Sequence, residues 1–151
     1  NQNQANDQQV ALDAYQKQIE ASEAAKKANQ PLKGYTATKF DANSVKKLVV
    51  EILKQGDGKV LNKDSTISSN YFGWTSDGEI FDSTNKEGAV SPIDFGLSGV
   101  IEGWTEGLTG VKVGSTVKLT IPGDMAYGNE DRGDGRPFGP LVFVVEVIEL
   151  K

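Results

Sequence analysis

Apolar and polar residues alternate with a period of two along several stretches beyond residue 45, the signature of strands with one buried face. Leu48, Val50 and Ile52 alternate in this way. Val45, Leu48, Val49, Ile52 and Leu53 also fit a helical spacing, but the β-branched content favours a strand. Gly56-Asp57-Gly58 then supplies a turn. Thr66 to Trp74 predicts a further strand, Asp77-Gly78 a hairpin turn, and Ile80 to Ser83 the returning strand. Pro92 to Phe95 predicts a short strand, and Val117, Leu119 and Ile121 predict another. Leu141 to Leu150 is a long apolar run charged only at Glu146 and Glu149, which predicts a central position in a sheet. Val100 to Leu108 is short and bounded by glycines, enough for a brief helix only. The sum is an α+β domain of about five strands around one short helix.

The first 44 residues break this pattern. Residues 1 to about 30 are rich in Asn, Gln, Ala, Lys and Glu, with Asp7 as a candidate N-cap and Pro31 as a stop, and they predict a helix. Its apolar stripe, Leu12, Tyr15 and Ile19, is thin, so the segment reads as a solvated spacer or tether rather than a partner-binding helix. Pro31 to Ser44, small and polar around Tyr35 and Phe40, predicts a linker packing loosely on the next unit. The expected division is therefore a polar helical extension with linker over residues 1–44 and a compact domain over residues 45–151.

Composition narrows the chemistry. The chain has 151 residues, enough for one domain and an appendage, and no apolar run long enough to span a bilayer. A net charge of −5 without a basic cluster argues against nucleic acid as a partner. With no Cys and no His, thiol nucleophiles, Cys/His zinc sites and imidazole acid–base catalysis are excluded. There is no Walker-type loop and no Gly-x-Ser-x-Gly elbow, and Glu130, Asp131 and Asp134 lack the closing Glu of a calcium loop. No cofactor or metal is expected. The chain begins Asn1-Gln2-Asn3-Gln4 without Met, consistent with a removed targeting segment or with a boundary of the sequence, and an exported, envelope-tethered location is the expectation, with the cytoplasm as the alternative.

What remains is a set of aromatics beside glycines: Tyr71, Phe81, Trp104, Tyr127 and Phe143. Singly each fits an ordinary core. Their order does more. Tyr71-Phe72-Gly73-Trp74, Asp77-Gly78 and Phe81-Asp82-Ser83 are followed by Val100-Ile101-Glu102-Gly103-Trp104-Thr105-Glu106-Gly107-Leu108, by Ile121-Pro122 with Ala126-Tyr127-Gly128, and by Leu141 to Val147. This series, over roughly residues 45 to 151, resembles the FKBP-type (macrolide-binding) peptidyl-prolyl cis-trans isomerases.

The resemblance implies a twisted antiparallel sheet wrapped around the short helix, with a pocket between them. It places Trp104 at the floor, Tyr71, Phe81, Val100, Ile101, Tyr127 and Phe143 in the walls, and Asp82 near the rim. Tyr127 and the Ile101 amide are implied as donors that hold a substrate carbonyl, and Asp82 as the group that orients Tyr71. Ile93 stands where the family often has an aromatic, implying a less aromatic wall. The loop from Thr84 to Ser91 is longer than usual. Residues 128–140 carry Asp131, Arg132, Asp134 and Arg136 in place of apolar residues, leaving Phe138 as the substitute over the pocket. The implied partners are proline-containing polypeptides and macrolides such as tacrolimus or rapamycin, and the implied state is a monomer. A proline-segment binding module or chaperone without turnover is the alternative.

Overall fold

A computed structural model of the chain describes residues 29–87, 89–130, 133 and 137–151. The helix expected over residues 1 to about 30 lies outside these, except for its last two residues. Asn29–Gln30 form a short strand, β1, so the helical expectation is corrected there.

The strands that follow are β2 (Val49–Lys54), β3 (Thr66–Thr75), β4 (Ile80–Ser83), β5 (Asn85–Lys86), β6 (Ala89–Val90), β7 (Ile93–Gly96), β8 (Thr116–Ile121) and β9 (Leu141–Leu150). The helix, α1, is Glu102–Leu108. The main sheet has six strands rather than about five: the order is β2-β8-β9-β3-β4, with β7 also paired to β3. The count rises because β3 is long enough to share one edge between two partners, β7 along Thr66–Ser69 and β4 along Phe72–Trp74. All of these pairings are antiparallel, and β9 lies between β8 and β3, the central place its apolar run predicts. β1, β5 and β6 form a second, three-stranded sheet.

Period two along the central strands serves two cores. Ile67 and Tyr71 of β3, Val117, Leu119 and Ile121 of β8, and Leu141, Phe143, Val145 and Val147 of β9 face α1. Phe72, Trp74, Val142 and Val144 face the other way. Hence β3 is buried almost throughout, a condition more often met in parallel sheets than in antiparallel ones.

α1 is short because it is held by packing, not by propensity. Gly103 and Gly107, four residues apart on one face, let it lie directly on β8: a Cβ added there would stand 2.5 Å from Ile121 and 2.7 Å from Leu119. Larger residues at these positions would lift Trp104 away from the sheet.

The segment after β1 does not pack loosely. Leu32 is only 4% exposed and joins Phe72, Trp74, Val142 and Val144, with Tyr35, Ala37, Phe40 and Ile80 against them. The Trp74 indole N–H donates to the Thr38 carbonyl oxygen at 2.8 Å, and the Phe40 amide donates to Ser76 at 2.9 Å. An exposed Trp74 face would cost a large apolar area, so this cover is part of the fold. Replacing Leu32 by Ala should lower the unfolding free energy by about 2–5 kcal/mol, read from denaturant titration of Trp fluorescence. A midpoint equal to that of the parent chain would show that the segment is not part of the cooperative core.

Candidate functional site

The site begins with Tyr71. Its amide donates to the Thr84 hydroxyl at 3.0 Å and its carbonyl accepts from the Thr84 amide at 2.9 Å, so β3 is gripped where β4 ends. The side chain then points at the helix. Tyr71 meets Trp104 edge to face, centroids 5.2 Å apart at 85°, and meets Phe95 at 5.4 Å and 76°. Phe95 and Trp104 are 5.1 Å apart, Trp104 and Phe143 5.4 Å at 88°, and Phe81 and Phe143 5.5 Å at 90°. Edge-to-face contacts put positive ring edges on negative faces and fix each ring's tilt.

These rings bound a cavity of about 300 Å³ lined by Tyr71, Phe81, Asp82, Phe95, Gly99, Val100, Ile101, Trp104, Tyr127 and Phe143. The room is made partly by Gly73, paired across to Phe143 on one side and Asp82 on the other. A Cβ at residue 73 would stand 2.6 Å from the Phe143 ring and 2.9 Å from Phe81. Ile101 ends the approach to α1, its carbonyl accepting from the Trp104 and Thr105 amides. Its own N–H precedes the helical ladder, where amides look outward for acceptors.

Asp82 is the one ionised side chain in the lining. Its carboxylate accepts from the Tyr71 hydroxyl in a short hydrogen bond and from the Ser83 amide at 2.9 Å. Burial, then the hydrogen bond and the negative charge of Asp82, push the Tyr71 phenol far above its ordinary value near 10. The phenol is therefore a fixed neutral donor. Trp104 is almost fully buried and its Nε1–H finds no acceptor among the described residues. An unmet buried donor costs about 1–3 kcal/mol.

Eight of the residues singled out in the sequence meet in this lining: Tyr71, Phe81, Asp82, Val100, Ile101, Trp104, Tyr127 and Phe143. Two do not. Ile93 is 45% exposed on β7, while Phe95, two residues on, supplies the ring that packs on Trp104. The wall expected to be less aromatic is thus aromatic after all. Phe138 is 49% exposed and lines a separate groove with Pro122, Asn129 and Lys46. Phe95 and Gly99 were missed. Phe95 had a signal, since Ile93 and Phe95 lie on one face of a predicted strand, but only the register decides which of them meets the helix.

Putting a methyl group at residue 73, Gly73→Ala, should push the Phe143 and Phe81 rings into the cavity. Affinity for any pocket ligand should fall at least tenfold, measured by Trp fluorescence titration, because a packed wall offers nowhere else to go. Undiminished affinity would show that the rings yield freely. The Tyr71 phenol gives a second expectation. Its folded-state pKa is raised, so the stability it confers is present below about pH 10 and is lost as pH climbs above that, where the unfolded state ionises first. Tyr71→Phe should flatten the alkaline fall in unfolding free energy, and an unchanged slope would assign that fall to other groups.

Known proteins resemble this chain over most of its described residues. Residues 58–148 fit the model of the FKBP-type peptidyl-prolyl cis-trans isomerase family. Over 104 residues the chain is 39% identical to the FKBP-type peptidyl-prolyl cis-trans isomerase FkpA of Escherichia coli, covering 69% of this chain and 38% of that protein. It is 38% identical to an FK506-binding protein of Neisseria meningitidis, covering 68% of this chain and 95% of the relative. The outer membrane protein MIP of Legionella longbeachae is 40% identical over 107 residues, 69% of this chain and 44% of that protein. Among solved structures, FkpA from Escherichia coli superposes with a TM-score of 0.61 at 32% identity, over 96% of this chain and 64% of that one. A peptidyl-prolyl cis-trans isomerase from Pseudomonas syringae gives 0.60 at 30% identity over 95% of both chains. The chain belongs to the FKBP-type peptidyl-prolyl cis-trans isomerase family.

Proposed function

We propose that this member of the FKBP-type family accelerates rotation about X–Pro bonds, with the ring-walled cavity over Trp104 as the chamber in which the prolyl amide twists. The observation that carries this reading is the cavity itself: about 300 Å³, bounded by five aromatic rings on Tyr71, Phe81, Phe95, Trp104 and Phe143, with Tyr127 beside them. A pyrrolidine ring with its flanking carbonyls fits a space of that size.

The X–Pro amide resists rotation by about 18–20 kcal/mol because conjugation holds it planar, and rotation makes or breaks no covalent bond. No nucleophile is required, in keeping with a chain that has no Cys and no His. The planar amide is the more dipolar state and water stabilises it. Withdrawal into an aromatic chamber therefore costs the planar state more than the twisted one, and the barrier falls. Shape adds to dryness. Trp104 offers a flat floor to the pyrrolidine, while the Tyr127 hydroxyl and the Ile101 amide hold one carbonyl as the other side turns. Asp82 keeps Tyr71 in place through the phenol it accepts from, and moves no proton.

The substrates are proline-containing stretches of flexible or unfolded polypeptide, and macrolides such as tacrolimus and rapamycin compete for the same chamber. Two observations support that ligand class: the apolar lining and the relatives named as FK506-binding proteins. A place outside the cytoplasm is part of the proposal, in line with the relative named as an outer membrane protein. Among the described residues no helix is long and apolar enough to cross a membrane.

A protease-coupled assay on a short X–Pro peptide should give turnover well above buffer. The rate should be flat between about pH 6 and pH 9, since rotation about the amide needs no proton transfer. A bell-shaped profile would contradict rotation without proton transfer. Asp82→Val should lower turnover at least severalfold in a chain that stays folded by circular dichroism. Binding of tacrolimus without any turnover would instead favour a proline-segment binding module.

A further inference from the structure

The strand β1 belongs to no part of the matched family stretch, yet it is tied to the wall of the chamber. β4 carries Phe81 and Asp82 and is held on one side by β3, where the register slips between Gly73 and Trp74. On its other side a rope of side-chain bonds comes from residues 29–31. The Asn29 side-chain amide donates to the Phe81 carbonyl at 3.4 Å, and the Ser83 hydroxyl donates to the Gln30 carbonyl. The Asn85 side-chain amide donates to the Pro31 carbonyl at 2.9 Å. Lys86 donates to the Asn29 side-chain oxygen, and its ammonium also stands 3.6 Å from Asp82. Next after Pro31, Leu32 is sunk in the core behind Phe72 and Trp74, which anchors the strap.

Asn29 is the residue where these ties converge. Its donor holds the backbone of Phe81 and its acceptor holds the cation that faces Asp82. The ion pair itself is half exposed and contributes little energy, so what the arrangement supplies is position. From this geometry we infer that Asn29 is a positioning residue for the chamber: through Phe81 and Lys86 it fixes the wall strand β4 and so sets the affinity for the prolyl ligand. The segment entering the domain at residue 29 is thereby part of the binding apparatus and not only a spacer. The inference rests on the reading of the cavity as a prolyl-ligand chamber.

The test is Asn29→Ala in the full chain, with affinity measured by calorimetry for two probes, tacrolimus and a short Ala-Leu-Pro-Phe peptide. Loss of hydrogen bonds of this kind corresponds to a rise in Kd of about three- to tenfold, with one site per chain retained and KM rising in parallel while kcat holds. A merely structural role would lower the fraction of binding sites and leave Kd alone. Val147→Ala, in the core that does not hold Leu32 and outside the cavity lining, supplies that contrast: a lower Tm with unchanged Kd. Asn29→Gln, which keeps donor and acceptor, should recover part of the loss. A Kd for Asn29→Ala within twofold of the parent, or a loss in site number alone, overturns the inference. A parent chain that binds neither probe would overturn the reading of the cavity itself.

Discussion

The demand made on β3 from both sides governs the rest of the molecule. Tyr71 must face the helix and carry the site, while Phe72 and Trp74 must face the second core. A strand buried on one face only has its register fixed once; this one has it fixed twice, because a slip of one residue would send Phe72 into the chamber and Tyr71 behind the sheet. The same slip would remove Gly73 from beneath Phe143. The cover supplied by Leu32, Tyr35 and Phe40 is thus not decoration on the back of the sheet. Without it Phe72 and Trp74 would meet water, and the strand that aims Tyr71 would lose half its reason to lie where it does.

Protein interiors close up around spare room, so a cavity lined by rings needs a cause for staying open. Here the rings are braced against one another. Tyr71, Phe95, Trp104 and Phe143 meet at steep angles, and a ring held edge to face cannot fold flat into the space without breaking contacts with two neighbours. Glycines do the complementary part. Gly73 leaves the room, and Gly103 with Gly107 sets α1 close enough to β8 that Trp104 cannot rise to fill it. Aromatic bracing and missing side chains are two halves of one device.

Much of this was readable in the sequence, and the reasons for the failures are physical. Alternation made β3 and β8 legible, the hairpin turn at Asp77-Gly78 gave β4, and the unbroken apolar run of β9 gave both the strand and its central place. Strands of two residues have no period, which is why β1, β5 and β6 left no trace. Leu32 stands alone among polar residues and a lone apolar side chain carries no pattern, so a core residue was read as part of a loose linker. The choice between Ile93 and Phe95 depends on the pairing Ile67 with Phe95, and register is a property of two strands together, not of either. Eight lining residues were found because motif order, unlike periodicity, reports on side chains far apart in the chain.

With one carboxylate and two phenols in the lining, the proposed rotation rests on shape rather than on proton transfer. An enzyme that moves protons can be tuned by changing a neighbouring charge, whereas a chamber that works by excluding water can be tuned only by changing what closes it. The floor and inner walls are fixed by the two-core constraint on β3 and by the glycines beneath the rings, so they leave little freedom. The excursion that brings Lys86 beside Asp82 is different. Between Thr84 and Ser91 the chain leaves the main sheet and returns to it, with Ser91 donating back to Thr84 at 3.2 Å, and whatever lies between can vary without disturbing β3 or β7. In this chain that excursion is the β5–β6 hairpin, stitched by β1 to the segment before the domain. A flank that can change while the floor cannot leaves the ring-walled cavity fixed and the approach past Asp82 free to differ.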